Sequence, residues 1–146
     1  MRQAAGFTLI EALIVVALVS IIAAVSAPAV TTALEQYNVI SASQQVASTI
    51  RAARMQAVAT NTALRVRFDY PSAGRYQVVL NADGVTAIGE VQLLPDDISF
   101  VDGFTDLQFS TAGRLLNAGA ANIVVTNGNA EHDKTITIST SGRVQL

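Results

Sequence analysis

The sequence contains no cysteine, which excludes disulfide bonds, thiol catalysis and Cys-ligated zinc together and leaves stability to packing alone. Histidine is nearly missing as well. His132 is the only one, so no pair of imidazoles exists to build a familiar metal centre or a base relay. Charge is scarce, at 14% of residues, and nearly balanced, with nine Lys and Arg against eleven Asp and Glu and a formal net charge of -2. That balance gives no global basic field to draw in nucleic acid, although it is compatible with a local basic patch. No glycine motif of the phosphate-cradling kind is present. Apolar residues are abundant, at 51%, and they are concentrated in the first thirty positions. The 146 residues hold one ordinary domain, less whatever is spent on a membrane.

The apolar run is Phe7 to Ala27, in which Glu11 is the only charge. As a helix rising ~1.5 Å per residue, it is long enough to cross the ~30 Å hydrocarbon core of a bilayer. Its surroundings are the reverse of a secretory signal, which carries its small-residue cleavage site after the apolar core. Here a polar leader, Met1 to Gly6, ends in Ala4-Ala5-Gly6 directly before the run, so a cut after Gly6 keeps the anchor on the mature chain. Arg2 favours a cytoplasmic amino terminus, with residues from about 30 onward facing the periplasm or exterior.

Glu11 is the awkward residue. A charge on a spanning helix costs ~2.5 to 3.5 kcal/mol on insertion scales, and such residues usually mark a functional contact. Cleavage after Gly6 would create an α-amino group on Phe7, one helical turn from Glu11, where the helix N-terminus also favours negative charge. In a bundle of related helices the carboxylate would instead meet the amine of a neighbour and fix axial register. The alternative is a glutamate snorkelling near a helix end.

Gly6-Phe7-Thr8-Leu9-Ile10-Glu11, followed by an apolar helix with Pro28, resembles the leader of type IV pilins and type II secretion pseudopilins. The resemblance implies cleavage after Gly6 and methylation of Phe7 by a prepilin peptidase, and it makes Glu11 the assembly residue. It implies other pilins or pseudopilins and an inner-membrane assembly platform as partners, with no cofactor, no metal and no catalytic residue.

Beyond Pro28 the positions Val30, Leu34, Tyr37, Ile40, Ala47, Ile50 and Ala57 describe one face of an α-helix, weakening at Ser43 and Gln44. Proline removes a donor and crowds the preceding turn, which predicts a kink near residues 24 to 28. Asn61 and Thr62 close the helix. Arg51-Ala52-Ala53-Arg54-Met55-Gln56-Ala57 resembles the end of the long helix in H-type minor pseudopilins and FimT-type minor pilins. As physics alone, Arg51 and Arg54 read as solvated arginines on a polar face.

From Thr62 the period becomes two. Leu64, Val66, Phe68 and Tyr70 alternate with Arg65, Arg67 and Asp69, and Pro71 to Gly74 turns into a returning strand with Tyr76, Val78 and Leu80. Asn81 to Gly84 turns again. Further strands are expected at Val85 to Leu93, Ile98 to Val101, Leu107 to Phe109, Asn122 to Thr126, Lys134 to Ser139 and Arg143 to Gln145, punctuated by glycines that include Gly103. Two echoes, Thr111-Ala112-Gly113-Arg114-Leu115 and Thr140-Ser141-Gly142-Arg143-Val144, read as tight turns in which glycine takes positive φ. The expected fold class is α+β: a pilin-like long N-terminal helix on an antiparallel sheet. Its divisions are a leader over 1–6, a transmembrane helix over 7–28, an amphipathic helix half over 29–61 and a head over 62–146. The Phe109 to Arg114, Lys134 to Ile138 and Gly142 to Val144 segments resemble the end of the H-type and FimT-type domain.

Enzymatic chemistry finds little footing. His132, in Asn129-Ala130-Glu131-His132-Asp133, reads as part of a solvated hairpin loop. Asp96, Asp97, Asp102 and Asp106 lack the EF-hand order for Ca²⁺ and read as turn formers. FimT-type minor pilins are associated with DNA uptake through a C-terminal Gly-Arg-x-Arg, which here reads Gly142-Arg143-Val144-Gln145. Only Arg143 survives as a possible phosphate contact. The sequence therefore points to a minor pseudopilin of type II secretion that acts by assembly in the inner membrane, with a FimT-type minor pilin of a type IV pilus as the alternative.

Overall fold

The computed structural model describes residues 7–101, 106–117 and 119–146. The expected leader, with Gly6, and the expected Asp102 and Gly103 lie outside them. Helix α1 runs Leu9–Ala59, and eight strands follow: β1 Leu64–Phe68, β2 Arg75–Leu80, β3 Gln92–Leu93, β4 Ser99–Phe100, β5 Leu107–Phe109, β6 Ala121–Thr126, β7 Lys134–Ile138 and β8 Val144–Gln145. The α+β class stands. Two compact units divide the chain, one through Glu35 and the other Gln36–Leu146.

In the first unit the helix carries an apolar window of mean hydropathy 2.7, none of it buried, long and apolar enough to cross a membrane. Its interior hydroxyls are satisfied within the helix. Ser20 donates to the Val16 carbonyl at 2.8 Å and Ser26 to that of Ile22 at 2.9 Å, so neither presents an unpaired donor to lipid. Pro28 lies inside the helix, and Thr31 and Thr32 both donate to its carbonyl.

The second unit holds the core. The helix buries Val39, Ala42, Ser43, Val46, Ala47, Ile50, Ala53 and Ala57, a stripe shifted from the expected one. Val30, Leu34 and Tyr37 stay exposed. Ser43, expected as a weak point, is buried because its hydroxyl donates to the Val39 carbonyl at 2.7 Å and so costs nothing unpaired. The helix ends as the sequence predicts. Asn61 takes φ 50, Thr62 N–H reaches the Ala57 carbonyl at 3.1 Å and Asn61 N–H that of Val58 at 3.3 Å, the paired bonds of a Schellman cap with asparagine in the usual glycine place.

Where one antiparallel sheet was expected there are two, ordered β3-β2-β1-β5 and β4-β6-β7-β8. The predicted hairpin pairs β1 with β2 from Leu64↔Leu80 to Phe68↔Tyr76. Its period-two burial puts Leu64, Val66 and Phe68 inside with Tyr76, Val78, Leu107 and Phe109, and Ile123, Val125, Ile136 and Ile138 of the second sheet join the same cluster. Aromatic rings fasten the sheets together: Phe100 of β4 meets Phe68 at 5.1 Å and Tyr76 at 5.9 Å, both edge to face.

The expected strand over Val85 to Leu93 survives only as β3 and a single bridge, Val79↔Ala87. Asp83 accounts for its start. Its carboxylate accepts the N–H groups of Val85 (3.0 Å) and Thr86 (3.1 Å) and the Thr86 hydroxyl, so the local bonds compete with a ladder. The segment still runs antiparallel beside β2, through Leu80 N–H to the Thr86 carbonyl at 2.8 Å and Ile88 N–H to the Val78 carbonyl at 2.9 Å, and Gln77 donates to the Gly89 carbonyl at 2.9 Å.

Candidate assembly site

Phe7 and Glu11 sit at the start of α1, both exposed. Thr8 is the residue just before the helix, and its hydroxyl accepts the Glu11 N–H at 3.3 Å. In return the Glu11 carboxylate accepts the Thr8 N–H at 3.4 Å and the Thr8 hydroxyl at 3.2 Å. This is a reciprocal capping box, Thr8-Leu9-Ile10-Glu11, which satisfies two otherwise unpaired donors of the first turn. The sequence reading placed Glu11 near the helix N-terminus but missed Thr8, although the Thr-x-x-Glu spacing before an apolar run was the available signal. Hydrogen bonds and the helix dipole lower the cost of the carboxylate. They do not neutralise its charge.

At the other end of the helix the two arginines expected to be solvated differ: Arg51 is exposed as expected, whereas Arg54 is half-buried and acts as a tether. Arg54 Nε donates to the Gly113 carbonyl at 2.9 Å, and an Arg51 nitrogen reaches the Val144 carbonyl at 3.4 Å. The sequence echoes explain the target. Ser110-Thr111-Ala112-Gly113-Arg114 and Ser139-Thr140-Ser141-Gly142-Arg143 fold into the same turn: glycine N–H to the serine carbonyl at 2.8 Å, arginine N–H to the serine hydroxyl at 3.1 Å, and φ of 71° and 78° at the glycines. The turns stack on each other under Arg54, since a methyl at Gly142 would lie 2.2 Å from the Gly113 oxygen. Arg143 is exposed and lines a depression with Arg51, Arg54, Met55, Gly142 and Val144.

The remaining candidates disperse. Asp106 pairs with Arg67 at 3.5 Å, whose guanidinium also lies 3.7 Å from the Tyr70 ring centroid, whereas Asp96 and Asp97 are exposed. Among the described residues no group of three His, Asp or Glu gathers in metal-binding range. His132 is not in a solvated loop but buried, with 6% of its surface exposed, and its Nδ1 meets the Asn127 amide at 3.3 Å. Asparagines 127 and 129 fold that loop through their own side chains, accepting the N–H groups of Asn129 and Glu131, and so tuck the imidazole inward.

A capped carboxylate on an unburied apolar helix, joined in sequence to a two-sheet head, is matched by two family models. Residues 42–142, more than half of the chain, match the type II transport protein GspH, and residues 1–27 match the prokaryotic N-terminal methylation motif. The chain belongs to the GspH family. Two crystal structures of the type IV minor pilin FimU of Pseudomonas aeruginosa share the fold. One, at 19% identity, has a TM-score of 0.66 over 77% of this chain and 90% of that one; the other, at 20% identity, has 0.61 over 73% and 90%. No curated protein sequence matches the chain. GspH membership and the N-terminal methylation motif make the protein a member of the pilin and pseudopilin superfamily, and its fold is that of a pilin.

Proposed function

We propose that this GspH-family chain is a minor pseudopilin of the type II protein secretion system. A prepilin peptidase cuts between Gly6 and Phe7 and methylates the new amino group. Residues 7–28 hold the subunit in the inner membrane with the head, 62–146, in the periplasm, and the assembly platform moves it into a short filament with other pseudopilins. The observation that carries this reading is the Glu11 carboxylate, bonded among the described residues only to Thr8 just before its helix, whose apolar window is entirely unburied. In lipid that carboxylate keeps its hydrogen bonds and has at most the Phe7 amine of its own chain as counter-charge, and in a packed filament a neighbour's amino group takes that place. The subunit acts by packing, with Glu11 fixing register and the head making lateral or tip contacts. Replacing Glu11→Leu in the native cells tests it: the chain should still reach the membrane but leave the sheared filament fraction, and secreted proteins should collect in the periplasm. Undiminished entry into filaments refutes the role of Glu11.

A second reading, a minor pilin of a type IV pilus, is favoured by the backbone likeness to FimU and by the exposure of Arg143 beside Arg51 and Arg54. Deleting the gene separates the two. Loss of protein secretion with normal pili supports the first, and loss of surface pili or of DNA uptake with normal secretion supports the second.

A further inference from the structure

Positive charge in this acidic chain gathers in one place. Four of its nine Lys and Arg, namely Arg51, Arg54, Arg114 and Arg143, belong to the end of α1 and the two stacked turns, and the stretches that carry them, 36–68, 107–130 and 134–146, contain no Asp or Glu. Among the described residues none of the four pairs with a carboxylate; the one ion pair there joins Arg67 to Asp106.

Arg51, Arg54 and Arg143 line a hollow of about 270 Å³ with Met55 and Val144, and an adjoining hollow of about 350 Å³ continues over Met55, Val58 and Ala59. Arg51, Arg54, Met55, Val58 and Ala59 share one stripe of the helix, on which Met55 is 71% and Val58 52% exposed. The groove therefore has a cationic end and, one to two turns further on, an aliphatic end. That order sets the chemistry of an occupant. An anion at the aliphatic end would meet the negative C-terminus of α1, so carboxylates belong over the guanidiniums, where parallel N–H···O bonds are stronger than neutral ones. An aliphatic side chain belongs on Met55, whose flexible thioether adapts to it. Arg51 already reaches the Val144 carbonyl on β8, the outer strand of its sheet, so recognition falls to side chains and not to an added strand.

We propose that this groove receives an acidic segment of an unlike subunit, with its carboxylates on Arg51 and Arg143 and an aliphatic side chain on Met55 and Val58. The proposal rests on the assembly reading in that a minor subunit meets unlike neighbours. Arg54, tied through Nε to the Gly113 carbonyl, holds the floor of the groove. Nucleic acid suits the groove less well. No aromatic side chain lines it to stack a base, half of it is aliphatic and the whole chain is acidic.

The test uses the full-length chain in its native cells, carrying the photo-crosslinker p-benzoylphenylalanine at Met55 and, in a second strain, at Val58. Irradiation should join it to a different chain, and mass spectrometry should place the link in a peptide bearing Asp or Glu beside an aliphatic residue. Adding Arg51→Glu with Arg143→Glu should lower the adduct about tenfold, a loss of ~1.4 kcal/mol, and changing those acids to Lys on the captured chain should restore it. The neutral pair Arg51→Gln with Arg143→Gln, which leaves the Arg54 tether in place, should lower it by a smaller factor. A captured peptide without acids, capture of a second copy, or an adduct indifferent to both arginine pairs overturns the proposal. No adduct from chains that still enter the sheared filament fraction overturns this contact and leaves the assembly reading standing. Capture of the acidic segment by chains that never enter filaments does the reverse, and absence of both rejects both. Salt-sensitive duplex DNA binding by the full-length chain in detergent, lost in Arg143→Ala, assigns the groove to nucleic acid and overturns the proposal.

Discussion

Gly142→Ala perturbs the head at the place where the two repeated turns meet. Gly142 has φ +78°, and an added Cβ would lie 2.2 Å from the Gly113 carbonyl oxygen and 2.8 Å from Arg54 Nε. Gly74 supplies the matched control, with φ +72° and nothing within 4 Å of its Cβ position. A left-handed backbone costs an L-residue ~1 to 2 kcal/mol, and the stiffer unfolded chain returns ~0.4 to 1, so Gly74→Ala should lose about 1 kcal/mol. At Gly142 the same backbone cost applies, and the clash is with backbone, which no rotamer change relieves. The turns must separate, which breaks the Arg54 bond to the Gly113 carbonyl; a hydrogen bond to a charged group contributes ~1.5 to 3 kcal/mol, so the total comes to ~2.5 to 4. Gly113→Ala falls between, near ~2 kcal/mol, because its Cβ meets the Val58 methyl at 2.9 Å and a side chain can yield. Urea unfolding of the full-length chain in detergent, followed by near-ultraviolet circular dichroism of the tyrosines, gives the three values. If Gly142→Ala costs no more than Gly74→Ala, the stacking of the turns is not what holds this end of the head.

Ile50→Ala, at a fully buried position on the helix, should cost ~2 to 5 kcal/mol in the same unfolding assay, through lost burial and the cavity it leaves. Asp83 is held down to about 2 by the Thr86 hydroxyl first and then by the N–H groups of Val85 and Thr86. A depressed carboxylate stabilises the fold above its unfolded value of ~3.9, and the contribution is lost as pH falls through about 2. The turn should therefore keep its protection from neutral pH down to about 4 and lose it near 2, and an NMR titration of the Asp83 carboxyl locates the midpoint. Asp83→Asn should remove that pH dependence.

Much of the head was legible because period-two alternation is a direct imprint of a sheet with one face inside. Leu64, Val66 and Phe68 follow it without exception. The split into two sheets was not legible, because the strands that divide are short and nothing in local pattern says which edges pair. His132 misled because composition makes Asn, Gly and Glu look solvated, whereas side-chain bonds from Asn127 and Asn129 fold the loop over the ring. Arg54 misled for a related reason. Its partner lies 59 residues away in sequence, beyond any periodicity argument, though the repeated Ser-Thr-x-Gly-Arg marked that partner as a built turn. The helix was read correctly as a helix and incorrectly as to its buried stripe, since spacing identifies an apolar face but not what covers it.

That uncovered face bears on Glu11. From Leu9 to Val25 the large apolar side chains are exposed, and Ser20 and Ser26 bond inward, so apart from Glu11 this stretch needs only an apolar surrounding, which lipid and a bundle of related helices both provide. Glu11 is the one charged group in its apolar window, and so the one whose energy differs sharply between them. Two roles for the carboxylate then compete: capping its own helix through Thr8, or pairing with a neighbour. Thr8→Val separates them, because it removes the hydroxyl at nearly constant size and costs about 1 kcal/mol of capping while leaving the carboxylate in place. If neighbour pairing is the role, Thr8→Val should still enter the sheared filament fraction, at a level well above Glu11→Leu, and Thr8→Ser should match the wild type. Should Thr8→Val be as defective as Glu11→Leu while Thr8→Ser is normal, the glutamate is there to start the helix, and register must be set by some other contact.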